Sequence, residues 1–224
     1  MAKTILITGS NRGIGLALCR HLQQRGETVI ATCRKASSAL TALGVEIIEG
    51  VDVSVPETLS QLSQQLGDRQ LDWLINNAGI AGGLGLNDIN VETLDTFRKM
   101  YDVNSLGPLV TTHILQKHLS VGSKVGIITS RMGSIADNDS GGSYAYRMSK
   151  SAVNAAGKSL SIDLKPKGIA VAILHPGYVK TDMTGHQGLI EVDESATGLI
   201  GLMDALSLET SGGFWHTNGE PLPW

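Results

Sequence analysis

The chain has 224 residues, 42% of them hydrophobic and 17% charged, with a formal net charge of −3. Near-balanced charge without a Lys/Arg run gives no electrostatic footprint for nucleic acid or an anionic membrane surface, which leaves small molecules and protein as partners. The first apolar run meets a glycine at Gly9, too early for a signal-peptide core, and no later stretch has the length of a membrane span, so a soluble, cytoplasmic protein is expected.

Short β-rich runs alternate with stretches of helical spacing. A strand over residues 4–8 (TILIT) runs into "TGSNRGIG" and a helix over 14–24. There the chain must turn tightly, let a pyrophosphate approach the backbone and aim a helix amino terminus at it, and Gly9, Gly13 and Gly15 permit this by lacking Cβ. The loop of Gly9, Ser10, Asn11, Arg12, Gly13, Ile14 and Gly15 is therefore a candidate dinucleotide site, although its glycine spacing differs from the commoner G-x-G-x-x-G. The second strand, 28–33, ends at Arg34 and Lys35, where a carboxylate would read a ribose 2′-hydroxyl. A guanidinium there can bind a 2′-phosphate, and Arg12 adds positive charge, so NADP(H) is favoured over NAD(H).

Further strands are expected over 45–48, 71–75, 125–130, 169–174 and 213–217, and further helices over 55–66, 91–119 with a break near Gly107 and Pro108, 146–164, and 195–206. Ser54 and Glu57 fit a capping box with Pro56 in the first turn. Parallel neighbours need a crossover, so this alternation predicts one doubly wound α/β domain over residues 1–224, a seven-stranded parallel sheet flanked by helices. Cys19 and Cys33, one in a helix and one in a strand, are expected as buried reduced thiols. The histidines show no metal-ligand spacing, and no metal is expected.

"YAYRMSK" places two tyrosines and a lysine within seven residues. On a helix, residues four apart share a face, which pairs Tyr146 with Lys150 and leaves Tyr144 off it. A neighbouring ammonium favours the phenolate, so the pair is a candidate acid/base unit. An exposed lysine beside a half-buried tyrosine would show the same spacing.

Taken in order, these motifs resemble the short-chain dehydrogenase/reductase family over nearly the whole chain. "TGSNRGIG" is similar to its glycine motif, Asp52 and Val53 to its adenine-contacting pair, and "NNAG" at Asn76, Asn77, Ala78 and Gly79 to its fourth-strand motif. Asn104, Ser130, Tyr146 and Lys150 match its catalytic set, and "PGYVKTDM", with Pro176, Gly177, Val179 and Thr181, its nicotinamide loop. The "SRMGSIADNDSGGSYAYRMSK" stretch and the ending "GEPLPW" further resemble the subgroup of the C-factor signalling protein and the sniffer carbonyl reductases.

The resemblance implies a Rossmann fold and an NADP(H)-dependent reductase of ketones, aldehydes or quinones, reversible as an alcohol dehydrogenase. In it Tyr146 is the general acid/base, Ser130 bonds the carbonyl oxygen, Lys150 lowers the tyrosine pKa and binds ribose, and Asn104 holds a relay water. Asn104 can equally be an asparagine bonding the backbone at a helix break. Ser130 stands sixteen residues before Tyr146, farther than is common in the family, so "ADNDSGGS" reads as an insertion, Ser134 is the alternative serine, and Ser143 is assigned to a loop or helix cap. His175 reads as packing with a cofactor contact as the alternative, and Tyr144 as an aromatic near the helix start. Substrate choice is expected to depend on the insertion, on "IAGGLGLNDI" and on residues 184–198, whose helix Asp193 or Ser195 would cap. Competing readings are an NADP(H)-binding signalling or scaffold protein and a 3-oxoacyl-thioester reductase. Small residues along 146–164 suit helix pairing in a homodimer or homotetramer, or close approach to the chain's own sheet.

Overall fold

In a computed structural model describing residues 2–224, strands and helices alternate as the hydrophobic pattern predicts. β1 (Thr4–Thr8) leads into α1 (Gly13–Gln24), β2 (Thr28–Thr32) into a short α2 (Ser38–Thr41), and β3 (Glu46–Ile48) into α3 (Pro56–Leu66). β4 (Leu71–Asn76) is followed by α4 (Leu94–Tyr101) and α5 (Gly107–Leu115), β5 (Leu119–Ile128) by α6 (Tyr144–Leu164), and β6 (Ala170–His175) by α7 (Val192–Ala205) and β7 (Phe214–His216).

The strands form one seven-stranded sheet in the order β3-β2-β1-β4-β5-β6-β7, every pairing parallel. This is the doubly wound Rossmann arrangement. Strand side chains alternate between its faces. Ile5, Ile7, Val29, Ala31, Trp73 and Ile75 pack with α1 and α7, whereas Leu6, Ile30, Leu74, Val125 and Ile127 pack with residues of α3, α5 and α6. Both faces are covered, which is why the strands read as continuous apolar runs rather than alternating ones. The order reverses between β1 and β4, and that switch point leaves a crevice at the carboxyl ends of the strands.

Several boundaries depart from the sequence reading. The helix expected to reach Leu119 ends earlier, and Leu119 opens β5 by pairing with Leu71. Pairing with a neighbouring strand overrides the local helical spacing here, and Gly122, at φ 92°, lies just beyond. The break placed near Gly107 and Pro108 is a π turn over Asp102–Leu106, and Pro108 sits in the first turn of α5. Pro108 cannot donate to the Asn104 carbonyl four residues back, which favours this local widening. The Ser54–Glu57 capping box does not form: Val55 is the N-cap, and the Ser54 hydroxyl donates to Asp52 Oδ1 at 2.6 Å. Glu191 occupies the N-cap position of α7 without a side-chain cap, and Asp193 and Ser195 lie inside the helix, where Asp193 pairs with Arg20 and His21 and Ser195 Oγ donates to the Pro176 carbonyl at 2.6 Å. The short α2, capped by the Ser37 hydroxyl, was not visible as a periodic segment. Cys19 and Cys33 are buried free thiols. No helix among the described residues is long and apolar enough to cross a membrane.

Candidate active site

The turn after β1 is shaped by its glycines. Gly9 and Gly13 adopt φ of 68° and 54°, and a Cβ on Gly9 would lie 2.7 Å from the Ala78 Cα. The "NNAG" segment braces this turn from β4. The Asn77 amide donates to the carbonyls of Thr8 and Gly9 at 2.9 and 3.0 Å, and Thr8 Oγ1 accepts from the backbone N–H groups of Asn77 and Ala78. Ser10, fully buried, donates its hydroxyl to the Ile7 carbonyl. The side chains of Ser10 and Asn77 therefore hold the loop in its shape. Asn11 accepts at its carbonyl from Ser37 Oγ at 2.6 Å, which fastens the loop to α2.

A cavity of about 1180 Å³ opens over the carboxyl ends of the strands. Of the expected cofactor residues, Arg12, Ile14, Gly79, Pro176, Gly177, Val179 and Thr181 line it. Arg34 and Asp52 lie beyond its wall at the β2 end, 4.0 Å apart, with the Arg34 side chain 74% exposed, and Val53 is buried against Gly107. Arg12 reaches across the mouth to Asp182 at 3.1 Å.

Ser130 and Tyr146 meet at the cavity wall. Ser130 follows β5 and caps the turn over Arg131–Gly133, its Oγ accepting from the Met132 N–H at 3.1 Å. Burial pushes the Tyr146 phenol above its ordinary pKa, and the neighbouring Ser130 hydroxyl draws it part-way back. Lys150, one turn along α6, has its Nζ 5.8 Å from the Tyr146 ring centroid and donates to the Ile128 carbonyl at 3.1 Å. Burial disfavours the Lys150 ammonium and brings its pKa down to about 8.

Ser134 is turned away from the cavity. Its hydroxyl donates to the Trp224 carbonyl at 3.2 Å and accepts from the Asp137 N–H at 3.1 Å. Asn104 takes the backbone-bonding alternative with its side chain: Oδ1 accepts from the Ile80 N–H at 2.9 Å, and Nδ2 donates to the Ile80 carbonyl at 2.9 Å and to Ser149 Oγ at 3.0 Å. Its amide is thus committed, and it ties the π turn to the segment after Gly79. Ser143 precedes α6 in the left-handed region, at φ 48°, and makes no side-chain cap. Tyr144 opens α6 and donates its N–H to the Leu84 carbonyl.

Sequence reasoning underrated the opposite wall. His175, read first as packing, lines the cavity beside Pro176. Burial, with smaller contributions from His216 and Arg131, pushes its pKa down to about 3, and its Nδ1 has no partner. Arg131, Met132 and Arg147 also line the cavity and were not singled out. Their one sequence signal was position near Ser130 or Tyr146. From the insertion Asp137, Asp139, Ser140 and Ser143 contribute, and from "IAGGLGLNDI" Ile80, Ala81, Gly82 and Gly83.

A phenol and a hydroxyl on one cavity wall, with an amine behind the phenol and a glycine-turned loop along the same cavity, can deliver a proton to an oxygen held beside a bound dinucleotide. The family model described as short chain dehydrogenase matches residues 3–189. The chain belongs to the short-chain dehydrogenase/reductase family. Within it, the chain is 40% identical over 227 aligned residues to 1-hydroxy-2-glutathionyl-2-methyl-3-butene dehydrogenase of Rhodococcus sp. (strain AD45), covering 99% of both chains. Among solved structures of this family it superposes on NADPH-bound carbonyl reductase from chicken fatty liver at a TM-score of 0.88 and 29% identity, over 100% of this chain and 99% of that one. It superposes on the carbonyl reductase Sniffer of D. melanogaster at 0.89 and 32% identity, over 100% of both.

Proposed function

We propose that the protein is an NADPH-dependent carbonyl reductase that works reversibly on the corresponding alcohols. The observation that carries this reading is that Ser130 and Tyr146 line one cavity with Arg12 and Ile14 of the glycine loop, while Lys150 stands one helical turn behind Tyr146. The loop fits a pyrophosphate: its backbone is bare of Cβ where a ligand would approach, and it opens the amino terminus of α1. Arg34, exposed at the end of β2 with no carboxylate in the reading position, suits a 2′-phosphate. The relative solved with NADPH supports the same choice. Bound NADPH would supply the hydride. Gly79, Pro176, Gly177, Val179 and Thr181 would border the nicotinamide end.

Tyr146 then donates its proton to the substrate oxygen as negative charge grows there, and Ser130 donates a second hydrogen bond to the same atom. A phenol whose pKa burial keeps high is protonated at neutral pH, the state that reduction needs. Lys150 stands behind the phenol and would stabilise the phenolate that reduction leaves, once a ligand in the cleft draws its ammonium toward the ring. The Asn104 side chain, committed to Ile80 and Ser149, lies with the Lys150 amine beside Gly79. Alcohol oxidation reverses these roles, and the Rhodococcus relative is named for an alcohol.

Cofactor consumption by purified protein across ketones, aldehydes, quinones and a glutathione-substituted primary alcohol with NADP tests the reading. Turnover with NADPH well above that with NADH is expected for at least one class. Tight NADPH binding without turnover of any compound would contradict it and favour the dinucleotide-binding scaffold.

A further inference from the structure

The segment after β7 ends against the loop that carries Ser130. A turn at Asn218 and Gly219 returns the chain along β7: the His216 N–H donates to the Glu220 carbonyl and the Leu222 N–H to the Phe214 carbonyl, each at 2.8 Å, and Trp215 bridges Pro221. The Trp224 ring then lies on Phe214, with centroids 5.5 Å apart. Its backbone oxygen accepts two hydrogen bonds from the loop between β5 and α6, from the Ala136 N–H at 2.8 Å and from Ser134 Oγ at 3.2 Å. Ser134 is 2% exposed, whereas Ala136 and Trp224 lie at the surface.

The contacts continue toward the cavity. Ser134 Oγ holds the Asp137 N–H, and the Asp137 carboxylate pairs with Arg131, the residue after Ser130. At the loop's other end Gly133 lies directly on the Lys150 backbone, where a Cβ would come within 2.7 Å, and its carbonyl accepts from Ser151 Oγ. The loop is therefore fixed at α6 on one side and at Trp224 on the other. Asp137 and Arg131, which line the cavity, are held between these anchors.

We propose that the Pro221–Trp224 segment, with Ser134 as its receptor, is a positioning element that sets the substrate wall of the cavity. Ser134 acts through Asp137 and Arg131 and touches neither substrate nor cofactor. The kinetic part of this inference rests on the carbonyl-reductase reading. Its structural part stands without turnover.

Two variants test it, removal of residues 221–224 and Ser134→Ala, each compared with the full chain by residue-resolved amide hydrogen exchange, NADPH affinity and steady-state kinetics. Faster exchange at Ala136 and Asp137 is expected in both, with NADPH affinity held within about twofold. The KM for the carbonyl substrate should rise roughly tenfold in the truncated chain, and less in Ser134→Ala. Unchanged exchange and KM would overturn the proposal, as would a parallel fall in NADPH affinity and thermal midpoint, which would mark a merely structural role. Should the truncated chain fail to fold, Ser134→Ala decides alone by the same criteria. If the full chain turns over no carbonyl compound, the carbonyl-reductase reading fails, and exchange still decides for the positioning element or against it.

Discussion

Tyr146, Ser130 and Lys150 show how much chemistry one helical turn and one strand end can gather. The i, i+4 spacing of Tyr146 and Lys150 was legible, because a helix fixes which face each residue takes. The depth of Lys150 was not, since a single letter carries no burial, and burial is what brings its pKa down to about 8. Arg34 was legible by the absence of a carboxylate at the end of the second strand. Replacing it by Glu should lower kcat/KM for NADPH roughly 10- to 100-fold and spare NADH, since one charge-assisted contact is lost and a repulsion gained. Cofactor kinetics with both dinucleotides checks this. His175 carries a different prediction. Its pKa is depressed from 6.5 to about 3, so between those values the unfolded chain holds the extra proton and stability rises with pH. Stability is therefore lost as pH falls through this window, by up to about 5 kcal/mol. Denaturant unfolding of His175→Gln across the same range should show a flatter dependence.

At the scale of elements, propensity and capping located most helices and strands but not their ends. β5 begins at Leu119 because Leu71 pairs with it, a contact 48 positions away that no local window contains. The Ser54 cap fails because Asp52 offers its hydroxyl a nearer carboxylate. The π turn is the element most tied to the site. It turns Asn104 toward Ile80, and the asparagine satisfies both backbone groups of that residue while 1% exposed. Asn104→Ala would strand those groups and should cost about 1–3 kcal/mol in denaturant unfolding. Exchange at the Ile80 amide should quicken as well. The insertion before α6, read as a doubt over which serine matters, places Asp137 and Ser140 at the cavity.

For the whole molecule, alternating strand and helix determined the architecture, since parallel strands require crossovers and the crossovers cover both faces. The crevice follows from the reversal of strand order between β1 and β4, which brings Gly9 beside Ala78 and sets Ser130 across from Pro176. Motif order along the chain made those meetings legible, whereas the cavity wall from Arg131, Arg147 and His175 emerged with the fold. Small residues let α6 approach the chain's own sheet. Gly157 faces the sheet, where a Cβ would lie 2.7 Å from Ile173 Cγ1, while Met148 and Ile162, 60% and 63% exposed, mark an outward apolar stripe. We expect that stripe to pair two copies, with sedimentation at the dimer mass or a multiple of it and a shift to monomer when Met148 and Ile162 are both made Glu.

The most direct measurement compares the rate of NADPH oxidation by the full chain and by Tyr146→Phe, at saturating cofactor and on the best carbonyl substrate. Loss of the phenolic proton should lower kcat roughly 10²- to 10⁴-fold with NADPH affinity retained. Equal kcat in the two proteins would contradict the assignment of Tyr146 as the proton donor.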